Sequence, residues 1–237
     1  MKRNQSGFTL IEIAIVLVII GLLLGGVLKG QELINSAKVK NLATDFKNVP
    51  IYIYGYQDKY KALPGDDAQA STHLTAAASG VTVRNGNGSG IIDGVWNSNG
   101  ANASGAAGVT GVGAVTDESF NFWQHIRLAG FGPGSTDTAD PNYLPTNAVG
   151  GHIGVTNSVN SDPITGMVGT YIVCSDSIPF KFAKQLDTTL DDGNTATGSV
   201  QITKQGTSTG GTAIKTDGSN TSPVTTDDTP VLVCMGY

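Results

Sequence analysis

"SGFTLIEIAIVLVIIGLLLGGVLKG", residues 6–30, holds the longest apolar run of the chain. From Phe8 to Leu28 its only charged side chain is Glu12. At roughly 1.5 Å per residue the run is long enough to cross a bilayer core of about 30 Å as a helix. An ionised group in hydrocarbon costs several kcal/mol unless it is paired, so this solitary acid asks for a partner. Lys2 and Arg3 precede the run and no acid lies before Glu12. The positive-inside rule therefore keeps the N-terminus in the cytoplasm and sends the remainder across. A secretory signal also starts basic, but its apolar region is shorter and gives way to small residues at a cleavage site.

Here the apolar run passes instead into an amphipathic one. Leu33, Ala37, Leu42, Phe46, Val49, Ile53, Tyr56 and Tyr60 recur mostly at spacings of three and four, which is one face of a helix. The spacing predicts a single helix from Phe8 to near Tyr60, about 75 Å long, far more than one small domain needs in its core. Its first half is expected to project. Gly21, Gly25, Gly26 and Gly30 would let neighbouring helices approach closely, or would simply loosen an anchor. Pro50 removes one helical hydrogen bond and is expected to kink the rod without ending it, because the apolar stripe continues beyond it.

The segment "KRNQSGFTLIE" followed by the apolar helix closely resembles the prepilin family, the type IV pilins and the pseudopilins of type II secretion. The likeness rests on the short basic leader ending in Gly7, the Phe8 junction, Glu12 and the apolar length. It is strict over about the first 30 residues, and the helix with its proline carries it to about residue 60. The resemblance implies that a prepilin peptidase removes residues 1–7 by cutting between Gly7 and Phe8 and methylates the new amino group of Phe8. It also supplies the missing partner. In filaments of this family the acid at the place of Glu12 is thought to pair with the N-terminal amine of an adjacent subunit. Such members usually carry a proline midway along the membrane segment, where this chain has only glycines.

The implied fold is α+β: a long N-terminal helical spine packed on an antiparallel β-sheet head. Residues 8–28 would be the membrane and filament-core segment, 29–62 the amphipathic half of the spine, and 63–237 the globular head. The implied role is a structural subunit of a pilus or related filament rather than an enzyme. Its partners would be copies of itself and other pilins, prepilin peptidase, an inner-membrane assembly platform, and the lipid bilayer before assembly. Its place would be the bacterial inner membrane, then an extracellular filament or a periplasmic pseudopilus. A minor or tip subunit with an adhesin-like head, or a secretion pseudopilin, is the alternative.

The rest of the chain is read from its own residues. Pro64, Gly65, Asp66 and Asp67 stop the spine and open a long Gly/Asn/Ser-rich surface loop over 66–115. A helix is expected over Glu118–Ala129, with Asp117 as its cap and Gly130 ending it, burying Phe120, Trp123 and Leu128. A second is expected from Pro179 to about Leu190. Strands are expected in 169–175, 198–204 and 230–235, which are rich in β-branched residues and flanked by turn formers. Cys174 and Cys234 fall in two of them. The Gly/Thr/Asn-rich composition resembles exported proteins, so the two cysteines are read as a disulfide in an oxidising compartment, with two buried thiols as the alternative.

Net charge is -5 and no Lys/Arg cluster follows the leader, so no nucleic-acid partner is expected. Histidines 73, 125 and 152 are scattered, and no phosphate-loop, dinucleotide or nucleophile-elbow spacing occurs. No cofactor is expected beyond a calcium candidate in 85–94. There Asn85, Asn87 and Ser89 alternate as in a calcium loop, with Asp93 nearby, but Trp96 stands where a bidentate Glu belongs. Asp66, Asp67, Asp191 and Asp192 are further oxygen donors. Tyr52, Tyr54, Tyr56 and Tyr60 lie at helical spacing, which fits packing along the spine better than a relay.

Overall fold

The computed structural model describes residues 9–75, 81–98, 117–159, 161–217 and 226–237. The described residues divide into two compact units, one ending at Lys40 and one spanning Asn41–Tyr237. Helix α1 runs Leu10–Tyr60 and continues through Pro50. Within the second unit its buried positions include Leu42, Phe46, Val49, Ile53 and Tyr56, a stripe repeating every three or four residues. Toward the other end the stripe gives out: Leu33, expected on the apolar face, is 62% exposed.

Pro50 has no N–H to give the carbonyl of Phe46, one turn earlier. That carbonyl accepts instead from the Tyr237 hydroxyl at 2.7 Å. Tyr237 is held by stacking on Tyr171, with ring centroids 5.3 Å apart. The gap a proline leaves in a helix is thus closed from the far end of the head.

Four strands form one antiparallel sheet in the order β1-β2-β4-β3: β1 Ile153–Thr156, β2 Ile172–Pro179, β3 Val200–Lys204 and β4 Pro230–Gly236. The fold is α+β, consistent with a pilin-like architecture. Strand β1 was not expected; it is only four residues long, and all four are buried. The central strands β2 and β4 are each buried on both faces over four consecutive residues. Cys174 and Cys234 stand directly opposite each other in the β2–β4 register, their Cα atoms 4.1 Å apart, and are joined by a disulfide.

On the cysteine side of the sheet, Ile172, Cys174, Leu232 and Cys234 pack with Ile164, Met167 and Trp96. Trp96 comes from the stretch read as surface loop, and that reading needs correction over its described part. Residues 81–98 have no helix or strand, yet Ile92 and Trp96 are buried core residues. Trp96 donates its indole N–H to the Thr207 carbonyl at 2.9 Å. Its own carbonyl lies so close over Gly154 of β1 that a Cβ there would collide with it. Residues 99–115 of the expected loop lie outside the described residues.

Helix α3, Glu118–Leu128, follows Asp117, and α4, Phe180–Leu190, runs between β2 and β3. Helix α3 packs on β1, while α4 packs on β2, β3 and β4. Ten successive residues of α3 are buried, including Asn121, Gln124, His125 and Arg127, so it has no solvent face. Leu128, expected in the core, is only partly buried. Arg127 is buried because its guanidinium donates to the carbonyls of Pro133, Ser135 and Tyr143. A four-residue helix α2, Ala70–His73, completes the fold.

Candidate functional site

The first turn of α1 is built by Thr9 and Glu12. Thr9 donates both its N–H, at 2.8 Å, and its hydroxyl, at 2.6 Å, to Oε2 of Glu12. The Glu12 N–H in turn points at the Thr9 hydroxyl oxygen at 3.4 Å. This is a capping box, in which the cap residue and the third helical residue satisfy each other's free amides. It also places a carboxylate beside the positive end of the helix dipole. The T-x-x-E spacing ahead of an apolar run was present in the sequence and signals this motif.

Apart from Glu12, the helix carries no charged side chain as far as Leu28. Leu10, Ile11, Leu17, Val18, Leu22, Leu23, Leu24 and Leu28 are each at least 60% exposed. An 18-residue window reaches a mean hydropathy of 2.8 with none of it buried, so α1 is long and apolar enough to cross a membrane. A side chain added at Gly21, Gly25, Gly26 or Gly30 would meet nothing within 4 Å. The ion pair of Lys29 with Glu32 follows the run at 2.7 Å, exposed on both sides and so of little energetic weight. Gly7 and Phe8, the expected processing residues, lie outside the described residues.

In the second unit the carboxylates of Asp66 and Glu118 pin the loop that carries the calcium candidates. Asp66 accepts the N–H groups of Ser89 and Gly90, and Glu118 accepts those of Asn87 and Asp93, all at 2.7–2.8 Å. Burial pushes Glu118 up to about 7, against the two backbone bonds that favour its ionised form. The candidate residues are engaged with the protein itself. Asn85 accepts from the Ser71 N–H, Asn87 accepts from the Ser89 N–H and donates to Asp93, and the Ser89 hydroxyl points at the Ile91 carbonyl. The loop therefore has a protein-made reason for its shape.

Beside it, Asp67 receives the Tyr56 hydroxyl at 2.8 Å, the His73 ring at 2.7 Å and the Gln69 N–H at 2.8 Å. Burial raises this carboxyl, and the three bonds more than offset that, leaving it below its ordinary value. Tyr60 stacks on His73, and a cavity of about 760 Å³ opens beside them, lined also by Lys61, Asp66 and Gly88. His125, deep in α3, accepts the Gly65 N–H on Nδ1 at 2.9 Å and donates from Nε2 to the Arg84 carbonyl at 2.7 Å. Those partners fix the neutral tautomer, and burial lowers its basicity accordingly. Tyr56 and Tyr60 thus anchor the end of the spine, whereas Tyr54 is 60% exposed.

Among comparisons with known proteins, residues 2–28 match the family model for the prokaryotic N-terminal methylation motif, the signature of type IV pilins and pseudopilins. No curated protein and no solved structure matches the chain. The matched segment ends where the lysine of the first ion pair begins, and the head stands on its own geometry.

Proposed function

We propose that this chain is a structural subunit of a type IV pilus or related filament, cleaved between Gly7 and Phe8, methylated at Phe8 and polymerised through α1. One observation carries the reading: the methylation motif over residues 2–28 includes the apolar start of a helix whose side chains are exposed among the described residues. Such a surface is stable in lipid. Once out of lipid it is stable only against other helices, so the hydrophobic effect that forbids the free subunit in water holds the polymer together.

Glu12 has a separate part in this account. Cleavage after Gly7 would create an ammonium at Phe8, close to the positive end of the helix dipole and unfavourable there. A carboxylate held on the first turn by Thr9 is a ready counter-charge for the amine of its own or a neighbouring chain. In a bundle of apolar helices, deleting one member of such a pair leaves the other buried alone, at a cost of roughly 3 to 5 kcal/mol. The stagger between subunits would then be set by charge and the cohesion by apolar area.

The test is to express the full chain with its assembly machinery, shear the cells, and compare the wild type with Glu12→Ala. The expected outcome is abundant wild-type subunit in the sheared filaments and a loss of roughly tenfold or more for Glu12→Ala, with membrane insertion unchanged. Equal assembly of both proteins would contradict the role given to Glu12. A wild type that is processed yet never leaves the membrane fraction would favour a pseudopilin or a minor subunit.

A further inference from the structure

At the C-terminal end of α4, three carboxylates converge without a cation. Ligand oxygens of Asp187, Asp191 and Asp192 all lie within 4.8 Å of one another. Asp187, on the last turn of the helix, is 0% exposed, and neither of its carboxylate oxygens has a hydrogen-bond partner among the described residues. A buried carboxylate left without donors is among the most costly arrangements in a protein interior and calls for a specific explanation.

The surroundings make the cost greater. The end of a helix carries a partial negative charge, which ordinarily draws basic side chains to the last turn. Here the last turn of α4 has none. The helix's two lysines turn elsewhere: Lys181 pairs with Asp228, and Lys184 pairs with Asp227 at 2.8 Å.

The loop that follows is shaped to hold the other two carboxylates in place. Asp191 accepts the Val200 N–H on Oδ2 at 2.9 Å. Asp192 accepts the Asn194 N–H on Oδ1 at 2.8 Å and the Thr197 hydroxyl on Oδ2 at 3.1 Å. Gly198, at φ +77°, lies so close to the Asp191 carboxylate that any Cβ would run into it. Asp191 is half-buried and Asp192 exposed, so the cluster opens to solvent on one side while Asp187 closes the other.

We infer that Asp187, Asp191 and Asp192 form a divalent-cation site of calcium type, with Asp187 as its buried charged ligand and both of its oxygens available to the ion. All donors are carboxylate oxygens, the hard ligands that Ca²⁺ prefers. Two oxygens bound to one Ca²⁺ at about 2.4 Å can be at most about 4.8 Å apart, the span found here. Water and main-chain carbonyls would complete the shell. The site is separate from the 85–94 loop and does not depend on the role of α1, so it stands or falls apart from the filament reading.

The experiment uses the full chain in detergent, stripped with EDTA and titrated with CaCl₂ or MgCl₂, following calorimetric binding and the thermal midpoint of the head through its tryptophans. Expected are saturable binding of one Ca²⁺ per chain, a raised midpoint that EDTA reverses, and a weaker response to Mg²⁺. Asp187→Asn keeps the size and removes the charge; it should weaken Ca²⁺ binding by roughly tenfold or more. The exposed Asp192→Asn should weaken it as well, which covers a failure of the buried variant to accumulate. Asp58→Asn, on an exposed residue of α1, should bind as the wild type does. A wild type that neither binds Ca²⁺ nor shifts at about millimolar concentrations overturns the site, as does undiminished binding by both cluster variants.

Discussion

One hydroxyl, that of Tyr237, does for α1 what the amide of residue 50 cannot. Since a neutral hydrogen bond is worth about 1 kcal/mol net and an orphaned buried carbonyl costs about 1 to 3, Tyr237→Phe should lower the stability of the head by about 1 to 2 kcal/mol. In a Pro50→Ala background the restored amide can take the Phe46 carbonyl, so the same change should cost less. Denaturant unfolding of the four proteins of this cycle measures the difference. Equal costs in both backgrounds would mean that Tyr237 acts through its ring alone. The sequence announced Pro50 but could not announce its partner, which lies 191 residues from Phe46. Glu12 is the converse case. Its solitary charge and the threonine three places before it are both local, so one line of sequence carries the signal of its capping geometry.

Elements with a clean period or clear stop signals were legible, and those shaped by their neighbours were not. Helices α3 and α4 begin and end close to where their Asp, Pro and Gly residues placed them. Strands β2, β3 and β4 fall within a few residues of the β-branched runs that marked them. Strand β1 was missed because four residues are too short a run to read, and nothing local marks the polar residues of α3 as buried. The Gln124 amide nitrogen, His125 Nε2 and the Arg127 guanidinium instead donate to carbonyls of the segments packed around them. The 81–98 segment misled for a related reason: a stretch rich in Gly, Asn and Ser reads as surface, yet the Trp96 carbonyl uses the absence of a side chain at Gly154 to approach β1 closely. Gly154→Ala should therefore destabilise the head by about 1 to 3 kcal/mol, since either Trp96 or the strand must move. A thermal midpoint unchanged from the wild type would show that the loop is held by its carboxylate staples alone.

At the scale of the whole molecule, two demands are met by different parts of one chain. Among the described residues the head closes its own core with a sheet, a disulfide and helices, and Asp187 stands out there as a buried carboxylate with a partner on neither oxygen. The first part of α1 is long and apolar enough to cross a membrane and is exposed among the described residues; the proposed filament would give that surface other copies to pack on. The head's fold class was readable because its strands and cysteines are local signals, while its acidic cluster needed the turn after α4 to bring Asp187 beside Asp191 and Asp192. The filament account rests on one chemical event, the exchange of a basic leader for a methylated amine at Phe8. Mass spectrometry of the N-terminal peptide, taken from sheared filaments and from membranes, reads that event directly. The account expects a peptide beginning with N-methyl-Phe8 in the sheared fraction; an intact peptide running from Met1 through Gly7 in both fractions would contradict it.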